Sequence, residues 1–111
     1  NDLFLDNYLR KINADYVGFA QRSSNAVSER YNIDNAPRIK KFADELTFKF
    51  GKKYIKILSG GSAHSFIVNT DKDIKFKKGD ILMAASWSAP ARNFPRGNIF
   101  ETDYKVRWTG A

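Results

Sequence analysis

The segment "LTFKFGKKYIKIL" at residues 46 to 58 decides the expected fold, because the spacing of apolar residues changes there from helical to alternating. Apolar side chains occupy every second position on both sides of "GKK": Leu46, Phe48 and Phe50 before it, and Ile55 and Ile57 after it. A period of two is typical of strands with one buried face, and the glycine suits a tight turn. This segment therefore predicts a β-hairpin.

Three further strands are predicted on the C-terminal side of this hairpin. The segment "HSFIVN" follows the turn "SGG", and "GDILMAA" follows the polar stretch "KFKKG". Because "ILMA" is apolar at successive positions, that strand is expected to be central and covered on both faces. The last predicted strand, "YKVRW", alternates Tyr104, Val106 and Trp108 with Lys105 and Arg107.

An amphipathic helix is predicted on the N-terminal side, over residues 2 to 20. Its apolar stripe, with spacings of mostly three and four, consists of Leu5, Tyr8, Leu9, Ile12, Tyr16 and Phe19. The stretch "QRSSNAVSERYNIDNAPRI" that follows has a weak pattern and is predicted to be a loop with at most a helical turn. A short second helix is expected after Asn35, with Pro37 in its first turn. Its apolar face would consist of Ile39, Phe42, Ala43 and Leu46.

These elements place the chain in the α+β class. With 111 residues, of which 42% are hydrophobic and 14% aromatic, the chain suits a single domain with one core, spanning residues 1 to 111. Residues 1 to 45 are predicted to be mainly helical and residues 46 to 111 mainly β. We expect N-terminal amphipathic helices packed on a small antiparallel β-meander, or on an open barrel, of five to six strands.

The composition excludes several classes of site. The absence of cysteine excludes disulfides and thiolate metal sites, and the single histidine, His64, excludes multi-histidine metal sites. A carboxylate-only site for a hard cation stays open, but the acidic residues are scattered, so no metal or cofactor is predicted. No apolar run approaches the roughly 18 to 20 residues of a membrane span, and the start of the chain lacks the pattern of a secretory signal. We expect a soluble, cytoplasmic protein without a membrane partner.

Positive charge is concentrated in the second part of the chain. The formal net charge is +7. The segment from Asn1 to Pro37 contains four basic and five acidic residues, whereas Arg38 to Ala111 contains fifteen basic and seven acidic ones. This asymmetry favours a polyanionic partner, either nucleic acid or an acidic protein.

The predicted strands supply candidate residues for such a partner. Basic residues that alternate with apolar ones should project from the face opposite the core, namely Lys49, Lys56, Lys75, Lys77, Lys105 and Arg107. If the strands adjoin, these residues form one basic face that can follow a phosphate backbone. Tyr54 lies where a nucleic-acid base could stack.

The segment "SWSAPARNFPRGN" at residues 86 to 98 has no helical or strand periodicity and is predicted to be a long loop. Trp87 and Phe94 are interpreted as anchors that pin this loop to the sheet, because exposed aromatic rings are unfavourable. Pro90 lies two residues before Arg92, and Arg96 lies between Pro95 and Gly97, so proline or glycine restricts or bends the backbone near each arginine. We expect these two guanidinium groups to capture phosphate or carboxylate.

The segment "SGGSAHS" permits a hydrolase hypothesis. Its participants would be Ser62 or Ser65 as nucleophile, His64 as base, and Asp80 or Asp71 as the group that orients the histidine. Strand alternation instead places His64 on the same side as Phe66 and Val68, which predicts a partly buried structural histidine. We prefer the structural interpretation and assign no catalytic residue.

Residues 74 to 111 carry the motifs "KGDIL", "AASW", "AP", "NF", "RGN" and a closing "WTGA". This part of the chain resembles small uncharacterised proteins of tailed bacteriophages, including phages of marine bacteria. The resemblance implies a phage-like origin and action in the cytoplasm of a host cell. It implies no catalytic residues.

Three functions follow from these observations. The favoured hypothesis is a non-enzymatic basic module that binds nucleic acid or an acidic host protein. A second hypothesis is a virion or assembly component that forms an oligomer through strand edges or the stripe of the first helix. The third is a small hydrolase around His64.

Overall fold

The computed structural model describes residues 2 to 31, 36 to 101 and 103 to 111, and for residues 2 and 23 to 31 it describes the helical backbone alone. The elements are two helices, α1 (Asp2–Tyr31) and α2 (Ala36–Glu45), followed by β1 (Leu46–Phe50), β2 (Tyr54–Ser59), β3 (Ser62–Val68), β4 (Asp80–Met83) and β5 (Gly97–Asn98). The strands form one antiparallel sheet in the order β1-β2-β3-β4-β5. The predicted α+β fold is confirmed as an open meander of five strands that does not close into a barrel.

A first core joins α1 to one face of the sheet. Its buried members are Leu5, Tyr8, Ile12, Ile55, Ile57, Ile67, Ile81, Ile99 and Tyr104. Those from α1 lie three or four residues apart, so the predicted helical stripe is buried as expected. Burial of this apolar area is the main force that holds the helix on the sheet.

A second core covers the opposite face of the sheet and consists of Phe66, Val68, Phe76 and Leu82. Phe76 comes from the connection between β3 and β4, which folds back over that face. Strand β4 lies between β3 and β5, with Ile81 in the first core and Leu82 in the second. The prediction that this strand is central and covered on both faces is therefore confirmed.

An irregularity in the pairing of β2 with β3 changes the direction of His64. Ile57 is opposite Ser65, and Leu58 is opposite Ala63, so His64 is an extra residue without a partner in β2. In such a bulge the alternation of side chains is interrupted. His64 consequently hydrogen-bonds to Ser65 on the α1 side of the sheet, and its predicted position beside Phe66 is wrong.

The predicted loop after residue 20 is also wrong, because α1 continues to Tyr31. The segment contains neither glycine nor proline between Gly18 and Pro37, so nothing in it breaks a helix. Weak apolar periodicity therefore did not indicate an irregular backbone. The predicted start at Asn35 lies outside the described residues, and α2 begins at Ala36 with Pro37 in its first turn.

The predicted last strand is absent from the described C-terminal residues, although the predicted inward and outward positions are correct. Tyr104 is buried, and Val106 and Trp108 pack against the first core, whereas Lys105 and Arg107 are exposed. The edge of β4 is taken instead by β5. The C-terminal segment forms only the bridge between Arg107 and Gly110.

Glycine at position 97 permits this close approach of the C-terminal segment to β5. The backbone of Gly97 has a φ of 154°, and a Cβ atom placed there would lie 2.7 Å from the Cβ of Tyr104. Any larger residue would push Tyr104 out of the first core. Within the described part of the chain, neither helix is long and apolar enough to cross a membrane.

Candidate anion-binding surfaces

The basic residues predicted from the sequence do not form a single strand face. Lys56 lies on β2, but Lys75 and Lys77 lie in the connection between β3 and β4, and Lys105 and Arg107 lie beyond β5. The placement of these four residues on strands was therefore wrong. One physical reason is the carboxylate of Asp73, which accepts the backbone N–H groups of Lys75 and Phe76 and bends the chain.

Four lysines gather on the β1–β2 hairpin, and we call them the lysine surface: Lys49, Lys52, Lys53 and Lys56. Lys49 and Lys56 are directly opposite each other in the strand register, and Lys52 and Lys53 lie in the turn that joins the strands. All four line a groove of about 330 Å³ together with Tyr54 and Phe66, and every charged residue described in its lining is a lysine. Like charges placed directly opposite each other destabilise a sheet, so an anion bound beside Lys49 and Lys56 would relieve their repulsion.

A second groove, of about 580 Å³, continues this surface. It shares Lys53 and Tyr54 with the first groove and adds Lys72 and the pair formed by Asp73 and Arg92. Lys52, Lys53 and Lys72 were not predicted as site residues. The adjacent lysines in "GKK" are a sequence signal for a basic site, although the same three residues also suit a tight turn.

Arg92 and Tyr54, both predicted to bind a ligand, are engaged within the protein. The Arg92 guanidinium donates two hydrogen bonds of 3.0 Å to the Asp73 carboxylate and a further one to the Tyr54 hydroxyl. The Asp73 side chain is 8% exposed. The guanidinium holds the pKa of this carboxyl well below its usual range, and the carboxylate in turn raises the pKa of Arg92. This pair joins the β3–β4 connection to the loop that precedes β5, which is a positioning role.

Trp87 and Phe94 are not buried anchors. Their exposed fractions are 54% and 50%, and each ring lies beside a cation instead of in a core. Lys56 Nζ lies 3.9 Å from the centroid of the Trp87 ring, and the guanidinium carbon of Arg96 lies 4.2 Å from that of Phe94. The loop does not need its rings buried, because ladder-like backbone hydrogen bonds to β4 and the Asp73 carboxylate already hold it. Trp87 is thus an accessible aromatic ring at the border of the lysine surface.

His64 belongs to a buried chain of hydrogen bonds. Its Nε2 lies 2.7 Å from the backbone oxygen of Arg107, and its Nδ1 lies 2.8 Å from Ser65 Oγ, which in turn lies 2.6 Å from the Tyr8 hydroxyl. A carbonyl oxygen only accepts, so a neutral His64 donates from Nε2 and accepts at Nδ1. Ser65 therefore donates to His64, and Tyr8 donates to Ser65. This chain fastens α1 and the C-terminal segment to β3.

The geometry does not support the alternative hypothesis of a hydrolase. Ser65 is the serine bonded to His64, but it is completely buried, so a substrate cannot reach its hydroxyl. Both ring nitrogens of His64 already have partners, and neither partner is a carboxylate. Asp80 accepts hydrogen bonds from Asn98 and from the backbone of Lys77, and Asp71 is exposed.

Stability should fall as the pH is lowered below about 7, because burial lowers the pKa of His64 more than its bond to Arg107 raises it. In the unfolded chain the ring has its usual pKa of 6.5. Between the two values the unfolded state binds more protons than the folded state, so the free energy of unfolding decreases with decreasing pH. Thermal unfolding at about pH 7.5 and pH 5 measures the effect. His64 is the one histidine of the chain, so a His64→Gln variant should not lose stability between about pH 7.5 and pH 5. An equal loss of stability in that variant would show that His64 is not the group responsible.

Three other predicted residues, Arg96, Lys105 and Arg107, are brought together elsewhere. They line an open groove of about 670 Å³ with His64. This groove lies where β3 begins and β4 ends, whereas the lysine surface lies toward the other end of β3. Lys56 and these three residues therefore occupy two separate sites, and neither groove is lined by Lys75 or Lys77.

Comparison with protein-family models, with curated proteins and with solved structures gives no significant match in any of the three.

Proposed function

We propose that this protein is a non-enzymatic module that binds single-stranded nucleic acid through the lysine surface. The observation that carries the proposal is the groove on the β1–β2 hairpin, whose described charged residues are all lysines and which places Lys49 opposite Lys56. A phosphate backbone neutralises such a row of charges and releases its own counterions. Lysines act as point charges without fixed geometry, which suits binding that is independent of sequence.

The exposed ring of Trp87 favours binding of single-stranded nucleic acid over binding of a duplex. Its indole is 54% exposed and is positioned by Lys56, a member of the lysine surface. Bases of a single strand offer their faces to an aromatic ring, whereas the bases of a duplex are already stacked on one another. A basic groove bordered by an accessible ring is the usual combination for single-strand binding. The resemblance to tailed-phage proteins would place this binding in the cytoplasm of a host cell.

The test is fluorescence anisotropy with a labelled oligo(dT) of about 15 nucleotides, measured across a salt series. Contacts from four lysines predict that the logarithm of the association constant falls with the logarithm of salt concentration with a slope of about −3. A duplex of the same length should bind more weakly at each salt concentration. Affinity that does not change with salt, or tighter binding of the duplex, would overturn the proposal.

Self-association is a second candidate function, favoured by one observation at the sheet edge. Strand β1 is the first strand in the sheet order, and its exposed Phe48 and Phe50 lie 5.3 Å apart, centroid to centroid, in an edge-to-face pair. An open edge that carries aromatic side chains can pair with the same edge of a second copy. The molecular mass measured by sedimentation would then rise with protein concentration. A constant monomer mass excludes this candidate.

A further inference from the structure

The groove formed by Arg96, Lys105 and Arg107 has a charge and size that the proposed nucleic-acid surface does not explain. Its volume of about 670 Å³ lies within the range of small-molecule sites, which is about 300 to 1,000 Å³. Apolar lining comes from Ala63, Met83 and Ala84, beside the three cations. Among the described residues of its lining there is no aspartate or glutamate.

Contacts with Phe94 and Met83 hold the Arg96 side chain in place. Its guanidinium carbon lies 4.2 Å from the centroid of the Phe94 ring, and its Nη2 is 3.5 Å from Met83 Sδ. Its Nε is buried and has no hydrogen-bond partner in the structure. The buried Nε is out of reach of a ligand in the groove, so the contribution of these contacts is to fix the guanidinium in the groove lining.

Lys105 and Arg107 are placed at the groove by their backbone. Tyr104, immediately before them, is buried in the first core, and the carbonyl of Arg107 accepts a hydrogen bond from His64. Arg107 and Gly110 also exchange backbone hydrogen bonds of 3.3 and 3.2 Å. The side chains of Lys105 and Arg107 are exposed, and the ion pairs found among the described residues involve Lys40, Lys41 and Arg92 instead.

We infer that this groove binds a small phosphate monoester of about nucleotide size. Two guanidinium groups and one ammonium group match a dianionic phosphate better than a single carboxylate, because a guanidinium donates two parallel hydrogen bonds to phosphate oxygens. The apolar side of the groove would receive the organic part of the ligand. The inference is independent of the proposed nucleic-acid surface, since the two sites share no residue.

Isothermal titration with AMP tests the inference. We expect one AMP bound per chain, no binding of adenosine, and competition by inorganic phosphate. The double variant Lys105→Gln and Arg107→Gln should weaken AMP binding at least tenfold, the effect of losing charge-assisted hydrogen bonds, and should unfold at the wild-type temperature because both side chains are exposed. An Arg96→Lys variant, which keeps the charge but loses the fork of donors, should also bind AMP more weakly.

A matched control variant distinguishes the effect of losing contacts in the groove from the effect of lowering the net charge. The double variant Lys49→Gln and Lys56→Gln removes the same net charge from the lysine surface and should leave AMP binding unchanged. Equal weakening in both double variants would overturn the inference, as would binding of adenosine or no binding of AMP. Competition between AMP and oligo(dT) would also overturn it, because the groove would then be part of the nucleic-acid surface. Salt-dependent oligo(dT) binding without AMP binding would leave the proposed function standing alone.

Discussion

The substitution Leu5→Ala is expected to lower the free energy of unfolding by about 2 to 5 kcal/mol, the usual cost of truncating a buried leucine. Leu5 is 2% exposed and belongs to the first core, where α1 meets the sheet. It also lines a small apolar cavity of about 70 Å³, which its removal would enlarge. Native domains are stable by only about 5 to 15 kcal/mol, so the loss is a large part of the total.

Leu3 provides a matched control for this prediction, because it is the same residue type on the same helix with 66% of its surface exposed. Leu3→Ala should change the free energy of unfolding by less than about 0.5 kcal/mol. Urea unfolding of the two variants and the wild type measures the difference. If both variants unfold at the wild-type midpoint, α1 does not contribute to the core as described.

The sequence was informative where burial follows a simple period. The stripe that includes Leu5 and Ile12 is buried, and the alternation of Ile55 and Ile57 marks β2 correctly. It was misleading after residue 20, where α1 extends to Tyr31 although the sequence there shows no clear apolar stripe. Periodicity reports which side chains are buried, and a helix can continue without that signal.

Residues 104 to 108 illustrate the opposite error. Their alternation in burial is real, but they form no strand, and β4 pairs with β5, a strand of two residues. The close approach of Tyr104 to Gly97 is a contact between chain segments that no local pattern shows. The bulge at His64 is likewise set by the register between two strands and cannot be read from either strand alone.

The candidate sites were predictable in composition but not in arrangement. An excess of cations after Arg38 was evident, yet their division into two sites depends on a bent connection and a C-terminal segment that is not a strand. The roles of Arg92 and Tyr54 depend on the carboxylate of Asp73, about 20 residues away along the chain from each. No local sequence pattern indicates that Asp73 is the partner of Arg92.

The variant that replaces all four residues of the lysine surface with glutamine is expected to lose most of its affinity for oligo(dT). Four lost contacts reduce the slope of affinity against salt by about 3, so at about 0.1 M salt the association constant should fall roughly a thousandfold. A control variant carries glutamine at four lysines outside this surface, Lys40, Lys41, Lys77 and Lys78, and has the same net charge. Its slope should stay close to that of the wild type.

Stability should move in the opposite direction from binding when Lys49 alone is replaced. Lys49 and Lys56 repel each other across the strand pair, so Lys49→Gln, which leaves Lys56 beside the Trp87 ring, should raise the free energy of unfolding by about 0.2 to 1 kcal/mol. A variant that is more stable and yet binds poorly would show that these lysines are retained at a cost to the fold. A variant without the four lysines that keeps the wild-type affinity and slope would show that the hairpin cations only solubilise the protein, and the proposal of a nucleic-acid surface would fail.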